Sequence, residues 1–182
     1  MTYYLSYTIL FVLYEAKILS RFCPGKCQKG SMTGKNWNRD IEKDLEQLKN
    51  TYNCKVILTL MEQVEITRVS PKLFDKAKEY GIETIHLPIV DGDIPNSMED
   101  TISMLKKLSE RVEKGETVVI HCLGGIGRTG MIAACLFKCL NPNYSFPKIT
   151  EMVKKTRQGT LRSRHQLGFF EQFSESLSTE KN

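Results

Sequence analysis

The chain has 182 residues, with 26 lysines and arginines against 21 aspartates and glutamates and a formal net charge of +5. Hydrophobic residues at 41 % and charged residues at 26 % exclude a collagen-like, low-complexity or wholly disordered chain, and the length suits one domain with a sizeable core rather than two. The mild positive excess suits an anionic ligand. Aromatic and basic residues do not interleave as a single-strand platform requires, so no nucleic-acid partner is expected.

From Tyr3 to Tyr14 the residues are almost all aromatic, β-branched or leucine. This stretch is too short to span a bilayer, and it lacks the basic leader and small-residue cleavage site of a secretory signal. A packed strand, a packed helix and an irregular extension all remain open. Residues 21–37, with Pro24, Gly25, Gly30, Ser31 and Gly34, read as a loop. The expected organisation is therefore an N-terminal apolar segment and loop over 1–35, a main domain over 36–176 and a short tail over 177–182.

Within the main domain, Ile41, Leu45 and Leu48 predict a helix over 38–49, and K-V-I-L-T-L predicts a buried strand over 55–60. A loop over 61–69 follows, then a helix opened by Ser70 and Pro71 and closed by Gly81. Residues 82–87 form the next strand, and D-G-D-I-P places a loop over 88–96. Ser97 and Asp100 resemble a capping box, opening a helix with Ile102, Leu105, Leu108 and Val112 on one face and Gly115 at its end. Thr117 to His121 is a strand. Helices are predicted over 129–140, over 146–156 behind Ser145 and Pro147, and over 163–176.

Strands separated by helices pair in parallel through right-handed crossovers, so the expected fold is α/β, a central and mainly parallel sheet flanked by helices. Loops that leave the C-terminal ends of parallel strands share one sheet edge, where ligands of open α/β folds bind. Three meet there: 61–69, 88–96 and 122–128.

The last of these reads H-C-L-G-G-I-G-R-T-G from His121 to Gly130. A short strand-to-helix loop of Leu123, Gly124, Gly125, Ile126 and Gly127 can curl so that successive amides point inward and make an anion cradle. The start of the following helix adds its positive dipole. Thiols in such cradles ionise readily, which makes Cys122 the candidate nucleophile. Arg128 can hold two phosphate oxygens with its fork, and the Thr129 hydroxyl can hydrogen-bond the sulfur as it leaves phosphorus. The other cysteines are read without chemistry. Cys135 and Cys139 fall at i and i+4 in an apolar helix as small hydrophobes, and Cys23 and Cys27 lack a second ligand pair for zinc. No metal or other cofactor is implied, and free thiols fit a reducing, cytoplasmic setting.

The H-C-x5-R-T-G pattern resembles the signature of the protein tyrosine and dual-specificity phosphatase superfamily. L-P-I-V-D-G-D-I-P upstream and R-Q-G-T-L-R-S-R-H-Q-L-G-F-F-E-Q-F downstream are similar to its kinase-associated branch. The resemblance implies Cys122 as nucleophile, Arg128 as phosphate ligand, Asp91 as general acid, His121 as a support of the loop and Gln166 as a supporting glutamine of the last helix. It also implies a phosphorylated protein as substrate, a protein kinase as partner, and access to the nucleus as well as the cytoplasm. With Arg128 the one cation of the loop, a phosphomonoester on a protein side chain fits better than a polyphosphorylated inositide. No inserted aromatic wall is visible, so phosphoserine and phosphothreonine are expected beside phosphotyrosine. The alternative is a pseudophosphatase that binds a phosphoprotein without turnover. Between the two carboxylates of the 88–96 loop, Asp91 is expected to be the better anchored and more desolvated, and Asp93 the freer.

Overall fold

The computed structural model describes residues 8–13, 16–30, 34 and 36–179. In chain order the elements are β1 (Thr8–Leu13), β2 (Ala16–Phe22), β3 (Cys27–Gln28), β4 (Trp37–Asn38), α1 (Ile41–Tyr52), β5 (Cys54–Thr59), α2 (Gln63–Val69), α3 (Leu73–Glu79), β6 (Glu83–His86), α4 (Met98–Glu113), β7 (Thr117–Cys122), α5 (Gly127–Leu140), α6 (Phe146–Thr156) and α7 (Arg164–Thr179).

The apolar runs of β5 and β7 are buried on both faces, as strands inside a parallel sheet must be. They sit at the middle of a five-stranded sheet of order β1-β2-β7-β5-β6. β2, β7, β5 and β6 run parallel, and β1 closes one edge antiparallel to β2. Side-chain alternation sends Val118 and Ile120 of β7 into a core with Leu105 of α4, Met131 of α5, Ile149 of α6 and Phe170 of α7, while Val119 packs on the other face with Leu45 and Leu48 of α1 and Ala77 of α3. The α/β expectation holds, with helices on both faces. Among the described residues no helix is long and apolar enough to cross a membrane.

Where the sequence reading separated residues 1–35 from the main domain, the structure places β2 inside the sheet, bonded in register to β7 from Ile18↔Val118 to Phe22↔Cys122. Ile18 and Leu19 are fully buried, so this strand gains its stability from the same core as β7. Residues 3–7 and 14 of the apolar stretch lie outside the described residues. The loop expected over 21–37 contains the two-stranded β3-β4 ribbon, tied to α1 by Asp44. That buried carboxylate accepts from the Gly25 amide at 2.9 Å and pairs with Arg39 and Arg21. The tail begins later than expected, because α7 continues to Thr179 and buries Leu177; residues 180–182 lie outside the described part.

Two further boundaries differ. The 61–69 loop is mostly helix α2, whose first turn is held by Glu65 accepting from the Glu62 amide at 3.0 Å. Ser70 ends that helix instead of opening the next one, and its hydroxyl donates to the Pro24 carbonyl at 2.7 Å. The end of α3 is as expected. Gly81 has φ +69°, and Ile82 N–H reaches back to Ala77 O at 2.9 Å, a six-to-one closure that needs a left-handed residue at position 81. At α4, Ser97 caps by accepting from the Asp100 amide at 3.1 Å.

Candidate active site

Cys122 ends β7, the central strand, and is 3 % exposed. The chain then turns through residues 123–126 into α5, and the turn closes on the sulfur: Gly125 N–H donates to Cys122 Sγ at 3.2 Å. Gly125 has φ +67°, and a β-carbon there would stand 2.3 Å from the Arg21 carbonyl carbon and 2.4 Å from its oxygen. The loop thus rests on the main chain of β2, and only glycine supplies both the dihedral and the space. Gly125→Ala is expected to destabilise the fold by about 3 kcal/mol or more, since neither clash partner is a movable side chain. Urea unfolding measures it, and a variant within 1 kcal/mol of the parent, by the same scale, refutes this packing. Gly130 meets a similar restriction, with Thr160 Cγ2 2.6 Å from where its β-carbon would lie.

Arg128 stands in the first turn of α5 and is 1 % exposed. Glu65 holds it with both carboxylate oxygens, Nη1 at 2.6 Å and Nη2 at 3.0 Å. Nη1 also donates to Ile89 O at 2.8 Å, and Nη2 pairs with Asp91 at 2.9 Å. All three loops expected at this sheet edge therefore meet on one guanidinium. Burial by itself raises Glu65, but the hydrogen bonds and charge of Arg128 outweigh it and leave the carboxyl below its ordinary range.

His121, the neighbour of Cys122, points to the opposite face. Its Nε2 lies 2.9 Å from Thr59 Oγ1, and Arg21 is its register partner on β2, so a polar row runs beneath the loop across β5, β7 and β2. Complete burial pushes its pKa down from 6.5 to about 3. The unfolded chain therefore takes up a proton as pH falls below 6.5 while the folded imidazole stays neutral until about pH 3. Stability should fall in that window by up to about 1.4 kcal/mol per pH unit from this residue. Urea unfolding at pH 7 and pH 5 should show a steeper loss in the parent than in His121→Asn, and equal slopes would refute it.

Thr129 is fully buried, and its hydroxyl has no hydrogen-bond partner among the described residues. The sulfur receives the Gly125 amide in this state. Gln166, from α7, is 3 % exposed and donates to the carbonyl of Asp93 at 3.1 Å, so it ties the 88–96 loop to the wall beside Gly127.

For the two aspartates the structure reverses the sequence expectation about burial. The Asp91 side chain is 70 % exposed and Asp93 49 %, because Asp93 folds back to accept from the Ile94 amide and to pair with His165. Asp91 extends over the cleft instead, next to Arg128.

The cleft holds about 650 Å³ and has Cys122, Leu123, Gly124, Ile126, Gly127 and Arg128 as its floor. Phe22, Lys26, Gln28 and Trp37 line it from the N-terminal segment, and Arg157 and Gln166 from the C-terminal part. Sequence reasoning missed Glu65, Lys26 and Trp37, and it offered Arg157 only as one of the basic residues between 154 and 164 whose excess suits an anionic ligand. Glu65 lay within a loop already assigned to this edge, where a carboxylate able to orient an arginine was a signal. Lys26 and Trp37 come from a distant segment, and only folding brings them and Arg157 to this cleft.

Strand, glycine loop and helix in this order, with the cysteine ending the central strand, give the chain the fold of the protein tyrosine and dual-specificity phosphatase superfamily. The model of the family cyclin-dependent kinase inhibitor 3 matches residues 9–149, and the chain belongs to that family. Rat cyclin-dependent kinase inhibitor 3 is 28 % identical over 156 residues, covering 85 % of this chain and 73 % of the relative. Mouse protein tyrosine phosphatase type IVA 2 is 30 % identical over 112 residues, covering 59 % of this chain and 65 % of that protein. Among solved structures, kinase associated phosphatase with its catalytic-site cysteine replaced by serine superposes with a TM-score of 0.78 at 25 % identity, covering 89 % of this chain and 88 % of that one.

Proposed function

We propose that the chain is a cysteine-dependent protein phosphatase that hydrolyses phosphotyrosine, phosphoserine and phosphothreonine monoesters through a phosphocysteine intermediate. The observation that carries this reading is the pairing, on one cleft floor, of Cys122 under an inward amide with an Arg128 fork already oriented by Glu65. An arriving phosphoryl group takes loop amides and the face of Arg128 that Asp91 now occupies. Cys122 Sγ attacks phosphorus, the P–O bond breaks, and the carboxyl of Asp91 gives its proton to the leaving oxygen. Water then attacks phosphorus, giving its proton to Asp91, and the P–S bond breaks with the buried Thr129 hydroxyl turned to the departing thiolate. His121 supports the loop from below, and Gln166 holds the Asp91 loop at the mouth. No step requires a metal or other cofactor.

The names of the relatives, an inhibitor of cyclin-dependent kinase and a kinase associated phosphatase, support a phosphorylated protein as substrate and a protein kinase as partner. The reduced thiols support a cytoplasmic site of action, with the nucleus open to it.

Release of phosphate from p-nitrophenyl phosphate and from phosphopeptides, inhibited by vanadate, is the direct test; no release by the folded chain would sink the reading. The acid is assigned by comparing Asp91→Asn with Asp93→Asn. Loss of a general acid should lower kcat on phenyl phosphate by about a hundredfold and on the activated nitrophenyl ester far less. That pattern in Asp93→Asn but not Asp91→Asn moves the role two residues along.

A further inference from the structure

Asp91 rides on a turn whose two sides are held by different parts of the molecule. On the near side Ile89 is buried, its N–H donating to the Leu60 carbonyl at 3.2 Å and its own carbonyl accepting from Arg128 Nη1 at 2.8 Å. The chain then reverses. Asp93 N–H donates to the Val90 carbonyl at 3.0 Å, and Gly92 between the two aspartates has φ +85°. The Asp91 carboxylate itself pairs with Arg128 Nη2, and on the proposed mechanism the incoming phosphoryl group takes that partner away. From then on its place at the leaving oxygen depends on how its backbone is held, and a misplacement of about 1 Å costs on the order of a hundredfold in rate.

The far side is held at Asp93 by the first turn of α7. Gln166 Nε2 donates to the Asp93 carbonyl at 3.1 Å. One carboxylate oxygen, Oδ1, accepts from the Ile94 amide at 2.9 Å and lies 3.3 Å from His165 Nδ1. An ionised carboxylate only accepts, so the ring nitrogen is the donor in this pair. Gln166 Oε1 also lies 3.1 Å from where a β-carbon on Gly127 would stand. The side chain that holds the acid turn therefore packs against the first residue of α5, the helix that carries Arg128 in its first turn.

Resting on the reading of Asp91 as general acid, we propose that Asp93 is a positioning residue, the point at which His165 and Gln166 fix the acid-bearing turn over the cleft. Its carboxylate serves as an acceptor and transfers no proton. Asparagine supplies the same acceptor and alanine does not, which separates an anchor from an acid. The His165 side chain is 60 % exposed and that of Asp93 49 %, and a solvated pair holds weakly. Losing His165 should therefore cost less than losing the Asp93 side chain, which also gives up the Ile94 amide.

The test measures kcat on phenyl phosphate and on p-nitrophenyl phosphate in the parent, Asp93→Ala, Asp93→Asn, His165→Ala, His165→Asn, and Asp91→Asn with and without Asp93→Ala. The poor leaving group needs the acid far more than the activated one, so the ratio of the two rates reports where the acid sits and is indifferent to the amount of folded protein. Asp93→Ala should lower the phenyl-to-nitrophenyl ratio by about tenfold and His165→Ala by about threefold, while Asp93→Asn and His165→Asn, which keep an acceptor and a donor, stay within about twofold of the parent. In the Asp91→Asn background Asp93→Ala should lower the ratio no further, because an anchor acts only through the group it positions. An Asp93→Ala ratio equal to the parent's overturns the proposal. So does Asp93→Asn as impaired as Asp93→Ala, or an undiminished effect of Asp93→Ala in the Asp91→Asn background. A parent-like ratio in His165→Ala removes His165 from the anchor. A parent-like ratio in Asp91→Asn instead overturns the acid assignment on which the anchor rests.

Discussion

Replacing Cys122 by serine should abolish phosphate release, with kcat falling by about ten-thousandfold or more, while phosphopeptide binding survives. An alcohol does not ionise at neutral pH as a thiol can, so the variant loses the attacking anion that splits one hard displacement into two easier ones. The remaining apparatus is untouched by the change. The inward amide of Gly125, the start of α5 and the Glu65-oriented fork of Arg128 do not depend on the sulfur for their positions, since the loop is fixed against the main chain of Arg21 and Phe22. Cys122→Ser should therefore retain substrate and capture it, and denaturing the parent with acid during turnover should yield phosphate bound to Cys122. The measurements are steady-state rates, a peptide-binding assay and mass spectrometry of the quenched protein. Turnover within tenfold of the parent would place the nucleophile elsewhere, and phosphopeptide binding without any turnover in the parent itself would favour the pseudophosphatase alternative.

The second large effect is expected at Arg128. Lysine keeps the charge but loses the fork, which here holds Glu65 on one side and Asp91 on the other; on the proposed reading, phosphoryl oxygens take the place of Asp91. If bidentate contact is strongest in the transition state, Arg128→Lys should lower kcat by about a hundredfold or more, about 3 kcal/mol, with a smaller change in KM. Stability should fall as well, because the buried Glu65 carboxylate keeps at most one of its two bonds; breaking such a pair costs about 3 kcal/mol. Glu65→Gln separates the two roles. It leaves the guanidinium free to meet phosphate but no longer aimed, so kcat should drop by about tenfold. Because Glu65 is depressed in the folded state, its contribution is complete above the ordinary glutamate range and is lost as pH falls through its lower folded value. The parent should accordingly lose stability faster than Glu65→Gln below about pH 4. Parent-like kcat in Arg128→Lys would refute the assignment, and identical acid unfolding of parent and Glu65→Gln would refute the linkage.

Much of this was legible in residue order because it depends on local physics. The runs of β5 and β7, the glycine closing α3, the serine capping α4 and the spacing of α4 and α5 each satisfy backbone and burial requirements within a few neighbours, so they can be read in place. The pairing of Cys122 with Arg128 belongs to the same kind, since six residues and a strand-to-helix turn suffice to set it. The failures are equally specific. Residues 1–35 were set apart from the main domain, and it required the pairing of Phe22 with Cys122, one hundred residues apart in sequence, to make β2 an internal strand and the platform under Gly125. α2 was too short to show a helical period. Asp91 and Asp93 could not be ranked by burial because Gln166 and His165, from α7, decide where their loop sits.

Charge at the site shows the same division most clearly. Read along the chain, the phosphate loop offers one cation, and from that a simple monoester followed. Folded, the cleft adds Lys26 and Arg157 from its walls and sets Glu65 against Arg128, although none of these lies in the motif. A side chain's reactivity is written in the few bonds around it, but the field it works in is a sum over everything that packing brings near, and that sum has no linear record. The cysteine at the end of its strand, the glycine loop after it and the fold class belong to the first kind of information; the orientation of Arg128, the floor under the loop and the cations of the cleft walls exist only once the sheet has closed.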